Sequence, residues 1–210
     1  MEQPITFVVA IGACFMLSYM FSKKMSYKYE EQKKTQRENE ENFEKYHVLT
    51  GSLFDEIEDD KLLDVIKFRM VVKEDKLYEG EEITKTLKDV LSPSELLIQT
   101  IFQVRDSMVG MNGSVHSFFI TEPFCDYRSF AIEAFNAIGY DEIVVVMQKA
   151  EKLAIMIEND EEIDDTEFSD YNFADFTDEL KKLFQEPKFA LKMNEFIRNH
   201  KEDFIDMEEK

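Results

Sequence analysis

The stretch 158–179 reads ENDEEIDDTEFSDYNFADFTDE: eleven acidic side chains in twenty-two residues, with no Lys or Arg. Clustered carboxylates can hold a divalent cation, work as general acid and base, or present negative charge to a basic partner. The residue order argues against the first. A calcium loop places oxygens at alternating positions around a Gly at its sharp turn. DEEIDDTEFSD has no Gly and is interrupted by Ile163 and Phe168. No metal and no cofactor is predicted.

The other residues able to do chemistry are His116, Glu122 and Cys125. A histidine base needs a partner to orient it, and no second His or Ser-His-Asp arrangement lies near His116. Cys125, in EPFCDYR, stands close to Arg128, but a reactive thiol needs a lowered pKa. His116 and Cys125 therefore read as structural, and no catalytic residue is predicted. One alternative is a membrane-associated enzyme, which would require His116, Glu122 or Cys125 to converge on one pocket. Cys14 and Cys125 show no metal spacing and no disulfide framework.

Charge narrows the function further. The 210 residues carry 25 basic and 45 acidic side chains, a formal net charge of −20. Residues 1–46 hold seven of each, so the whole excess lies in 47–210. Such a field repels nucleic acid and attracts basic proteins, so direct nucleic-acid binding is excluded. A surface imitating DNA needs carboxylates at fixed places, which helices supply better than a loop. The helix-start groups are Asp55, Glu56, Glu58, Asp59 and Asp60, and then Asp175, Asp178 and Glu179. With Glu158, Asp160, Glu161, Glu162, Asp164 and Asp165 they form the candidate partner-binding surface. Its bland counterpart is a solvated face that keeps the protein soluble.

Three elements must position these groups. Residues 5–21, ITFVVAIGACFMLSYMF, carry no charge and are just long enough to span a bilayer. A cleaved signal would begin basic and end in small residues; this run begins MEQP and ends in Tyr19, Met20 and Phe21. A lipoprotein signal is echoed by IGAC at 11–14, but apolar residues continue beyond Cys14. A third reading, a buried core helix, is weakened by the apolar face extending all round. An uncleaved anchor is the expectation. Lys23, Lys24 and Lys28 follow the span, so the positive-inside rule places the N-terminus outside and the rest in the cytoplasm.

Residues 23–46 are almost purely polar, with Glu and Lys at helical spacing. They form either a flexible linker or a helical stalk of about 37 Å, without a coiled-coil seam. Self-assembly through this stalk would make the protein a membrane scaffold, a second alternative.

From residue 47 the apolar pattern is mostly helical. In the segment after Asp59 and Asp60, which can cap it, Leu62, Leu63, Ile66 and Met70 share a face. Ser92, Pro93 and Glu95 spell an N-cap, a first-turn proline and a capping box. Leu96, Leu97, Thr100, Ile101, Val104 and Met108 follow as the buried stripe, with Gly110 or Gly113 to end it. Asp126 can cap a helix through Phe130, Ala134 and Ile138, closed by Gly139. Asp141 can cap another through Val144, Val145, Gln148, Ala150 and Ile155. IVVVM at 143–147 suits a strand by propensity, but the helical pattern runs past it. After the acidic run, Thr177 or Asp178 can cap the first of two short helices divided at Pro187. Leu180, Leu183, Phe184, Phe189, Leu191, Phe196 and Ile197 supply their core.

The order of these pieces carries a resemblance. A proline-capped helix leads to Asn112-Gly113, then the aromatic pair Phe118-Phe119, then a helix ending at Ile138-Gly139. An Ala-containing helix, an acidic loop and a closing LKKLF helix complete it. Over residues 92–204 this resembles the bacterial DNA mimic protein family. The resemblance implies an all-α fold, a homodimer, no catalysis, and a negative surface that occupies the DNA-binding face of a basic protein. The sequence thus predicts a transmembrane anchor (1–22), a charged stalk or linker (23–46), a compact acidic multi-helix domain (47–204) and a tail (205–210). It reads as a single-pass protein of the cytoplasmic membrane.

Overall fold

The computed structural model describes residues 44–75, 86–110, 113–160 and 172–206. The chain divides into two units, Met1–Lys45 and Tyr46–Lys210; the elements below belong to the second. The predicted span 5–21, nearly all of the stalk, Asn112, Glu161, Glu162, Asp164 and Asp165 lie outside the described residues. Among the described residues no helix is long and apolar enough to cross a membrane.

Every regular element described is helical. In chain order these are α1 (Gly51–Asp55), α2 (Asp59–Asp75), α3 (Leu87–Val90), α4 (Pro93–Ser107) and α5 (Val115–Ile120). A 3-10 helix (Phe124–Phe130) leads into α6 (Ala131–Ala137) and α7 (Asp141–Glu158). α8 (Phe173–Gln185), α9 (Pro187–Asn199) and α10 (Lys201–Phe204) follow.

α4 is the axis of the unit. It starts as its sequence predicts: Ser92 Oγ accepts from Glu95 N, and Glu95 Oε2 accepts from Ser92 N at 2.9 Å. It is covered by α2, α3, α5, α6, α10 and the 3-10 helix, because Leu96, Ile98, Ile101, Phe102 and Val104 leave few polar sides. Its buried polar groups are answered locally. Thr100 and Ser107 donate back to the carbonyls of Leu96 and Val104, and buried Glu95 pairs with Lys73 at 2.5 Å. The helix ends at Ser107 with Met108 as its C-cap at φ −97°, so neither expected glycine closes it; Gly110 turns the chain just beyond, at φ +90°. Gly113 is required by close approach, since a Cβ there would overlap the backbone of Met108 and Val109.

Several expected details are corrected. Asp59, Asp60 and Asp141 lie inside the first turns of α2 and α7 rather than capping them. Asp126 sits within the 3-10 helix, and α6 begins only at Ala131. α8 is capped by Asn172, with Asp175 completing the box, not by Thr177 or Asp178. Thr177 is instead buried, donating to Phe173 O and accepting from Val115 N at 2.9 Å. In α7 Val144 and Ala150 are buried as expected, together with Ile143, Val146, Met147, Leu153 and Ala154, whereas Val145, Gln148 and Ile155 are exposed. IVVVM is apolar in every direction, so the packing of α5, α6 and α8 chose the face. Leu191, expected in the core, is 66% exposed, and Met193 takes that role at 0%.

Candidate interaction surface

The acidic corner 55–60 is built where α1 stops and α2 starts. Thr50 caps α1 by accepting from Leu53 N, and buried Phe54 and Ile57 pin the corner inward. Asp55, Glu56, Glu58, Asp59 and Asp60 are left exposed. Three of the five are answered by bases. Asp55 meets Lys201 at 2.6 Å, Glu58 meets Lys61 at 2.6 Å and Asp59 meets Arg198 at 2.9 Å. The Lys61 ammonium holds the Glu58 carboxyl below its usual range through a hydrogen bond and charge. Glu56 and Asp60 form no ion pair among the described residues.

The second acidic site divides similarly. Glu158, at the end of α7, pairs with Arg128 at 2.6 Å. Asp160 follows the helix in a left-handed conformation, φ 51°. At the start of α8, Asp175 accepts from Asn172 N as part of the cap. Asp178 and Glu179 are exposed on that helix, and neither pairs with a base among the described residues. The structure therefore separates the predicted acids into neutralised ones and outward ones. The outward set on ordered backbone is Glu56, Asp60, Asp160, Asp178 and Glu179.

A joint that sequence reading missed sets the α8–α9 elbow. Lys188 pairs with Glu142 at 2.7 Å and Glu186 at 3.1 Å, and its ammonium stands 4.7 Å from the Tyr140 ring centre. Buried Tyr140 donates to Glu186 at 2.8 Å. Burial, then the Glu186 carboxylate, pushes the phenol up to about 12. The Tyr140 hydroxyl, followed by Lys188, holds Glu186 below its usual range. Glu142 is also lowered, first by the Lys188 hydrogen bond, and Lys188 is raised by both carboxylates. The Glu-Pro step at 186–187 marks a helix boundary in the sequence, but the partners come from α7 and carry no local signal.

The residues considered for catalysis play separate parts. His116 stacks on Phe173, ring centres 4.2 Å apart. Glu122 is exposed, and Cys125 is a half-buried free thiol. An open groove of about 340 Å³ on α7 is lined by Gln148, Glu151, Lys152, Ile155 and Met156, and by none of these three. Among the described residues no three His, Cys, Asp or Glu side chains gather in a way that could hold a metal ion.

The aromatic motif is interior: Phe118 and Phe119 are buried and meet edge to face at 5.4 Å. Gly139 takes φ +67° to turn α6 into α7, directly after buried Ile138. These residues lie inside a stretch, 91–200, that matches the DMP19-like protein family and spans just over half of the chain. The chain belongs to the DMP19-like protein family. This is the DNA mimic family that the sequence resembles over 92–204. No curated protein and no solved structure matches the chain. The DMP19-like stretch runs from the entry to α4 through α9, so α8 with Asp178 and Glu179 is within it. The corner at 55–60 lies outside it, supplied by the chain that precedes the DMP19-like stretch.

Proposed function

We propose that this protein is a membrane-tethered, non-enzymatic interaction module whose acidic helical unit binds a basic, DNA-binding protein as a mimic of DNA. The observation that carries the reading is the set of carboxylates held on ordered backbone without an ion pair among the described residues: Glu56 in the corner after α1, and Asp60, Asp178 and Glu179 on helices. Duplex DNA presents about one charge per 1.7 Å of axis, so a mimic needs negative groups on rigid backbone. Carboxylates already neutralised within the protein contribute little to a basic partner. Membership of the DMP19-like family supports the same reading.

The tether rests on the uncharged run 5–21 and the lysines after it, which place the acidic unit on the cytoplasmic side. A partner captured there is held away from the bulk DNA. The proposal includes a homodimer, which sedimentation of the full chain in detergent checks.

The test uses the full chain in detergent, immobilised, and offered a cell extract at low salt. A basic DNA-binding protein should be retained, released as salt rises, and displaced by added duplex DNA. Retention of no basic protein at low salt, or of one that duplex DNA cannot displace, would overturn mimicry.

A further inference from the structure

Residues 198–206 reach back across the fold through a run of polar links. Arg198 donates to the carbonyls of Phe54 and Ile57 and to Asp59. Lys201 pairs with Asp55. Asp203 accepts from Ser94 Oγ, and its carbonyl accepts from Ser92 Oγ at 3.1 Å. Asp206 closes the run: its carboxylate accepts from Leu49 N at 2.6 Å and from Arg69 at 2.5 Å, and its N–H donates to Leu49 O at 2.9 Å. Arg69 is only 2% exposed and also donates to the carbonyls of Tyr46 and His47.

Neither side of this junction stands alone. α1 has five residues and α10 has four, far short of the roughly 12–15 that an isolated helix needs. Such short elements persist only through tertiary contacts. The ties here are buried Phe204 and the Arg69–Asp206 pair. α4 and α7, in contrast, are held by long apolar faces. Segments with few apolar contacts open at lower free energy than the core around them.

We propose that residues 198–206 form a strap, closed through Arg69 and Asp206, that holds the acidic corner 55–60 in one geometry. When the strap opens, the corner loosens while the α4–α8 core stays folded. The inference rests on the corner being part of the partner-binding surface. The strap then regulates that surface: while closed, its Lys201 and Arg198 answer Asp55 and Asp59, and apparent affinity scales with the fraction of molecules in the open, competent state.

Asp206→Ala and Arg69→Met each break the closure, and they move net charge in opposite directions. Hydrogen exchange of the full chain in detergent should show Leu49, Phe54 and Ile57 exchanging about tenfold faster in both. Ile101 in α4 and Met147 in α7 should keep their wild-type rates. Affinity for polylysine should rise in both variants, because opening releases Asp55 and Asp59 from Lys201 and Arg198. Unchanged exchange at the corner would overturn the strap, as would acceleration spread equally through α4 and α7. Affinity that instead tracks net charge, falling in Asp206→Ala and rising in Arg69→Met, would overturn its regulatory role. If wild-type protein does not bind polylysine, the binding reading fails, and the exchange pattern alone decides whether the strap exists.

Discussion

Arg198 and Lys201 spend their charge inside the molecule. Arg198 donates to the carbonyl of Phe54 in α1 and to that of Ile57 in the corner beyond it. Truncating Arg198→Ala removes the side-chain donor to Ile57 O and the cation beside Asp59, while Phe54 O keeps its backbone donors. A loss of about 1–3 kcal/mol is expected, read as a lower Tm by calorimetry. Glu56→Gln, which removes an exposed charge without an ion pair, should stay within about 0.5 kcal/mol of wild type. Tyr140 makes a prediction in pH. Its folded pKa, about 12, is raised above the roughly 10 of a free phenol. The folded state therefore holds its proton more tightly, and that stability is complete below about pH 10 and lost towards pH 12. Tyr140→Phe should lose less stability over this window than wild type, in melts at matched ionic strength. An identical slope in both proteins would contradict the assignment.

At the scale of elements, the reciprocal capping box at Ser92 holds, whereas the single-residue caps expected at Asp59 or Asp60, Asp126, Asp141 and Thr177 or Asp178 do not. Ser92, Pro93 and Glu95 fix the start of α4 through contacts three residues apart, so Ser92→Ala should cost about 1 kcal/mol. α7 shows where local reading stops. Its IVVVM segment offers apolar groups on every side, and of the stripe Val144, Val145, Gln148, Ala150 and Ile155 that the spacing suggests, only Val144 and Ala150 are inward. The structure buries Met147 and Leu153 and exposes Val145 at 50%. Met147→Ala is therefore expected to lose about 2–5 kcal/mol, while Val145→Ala should stay within about 0.5 kcal/mol. Chemical denaturation of the two variants separates the faces, and equal losses would reverse this assignment. The acids of α8 follow the same rule. Asn172 was not read as the cap, yet that position places Asp175 inside the capping box and leaves Asp178 and Glu179 facing solvent.

At the scale of the whole molecule, the −20 charge includes acids that pair within the fold and acids left exposed without an ion pair, which the proposed function assigns to a partner. Helix-held carboxylates should make binding of a basic partner steeply salt-dependent, as each neutralised charge adds to the slope. Replacing Asp178 and Glu179 by Asn and Gln should lower both affinity and salt slope without changing Tm. A fall in affinity with an unchanged slope would mean that the pair acts through shape. The tether makes a separate prediction: the full chain should partition with membranes, and a chain lacking residues 1–22 should not.

The sequence by itself determined the helical class, the start of α4, the break at Pro187, and the concentration of negative charge in residues 47–210. Those properties depend on composition or on residues within a turn of each other. Family membership was legible for a related reason, in the order of Asn112-Gly113, Phe118-Phe119 and Ile138-Gly139. The tertiary structure decided which side of α7 is buried and which carboxylates are already answered. It also brought Arg198 and Lys201 to the corner at 55–60, from about 140 residues along the chain. Ion pairing depends on distances of a few ångströms between elements remote in sequence, and no spacing rule encodes them. The negative charge was therefore readable from the sequence, while its exposed and unpaired part was set only when α9 and α10 folded back against α1.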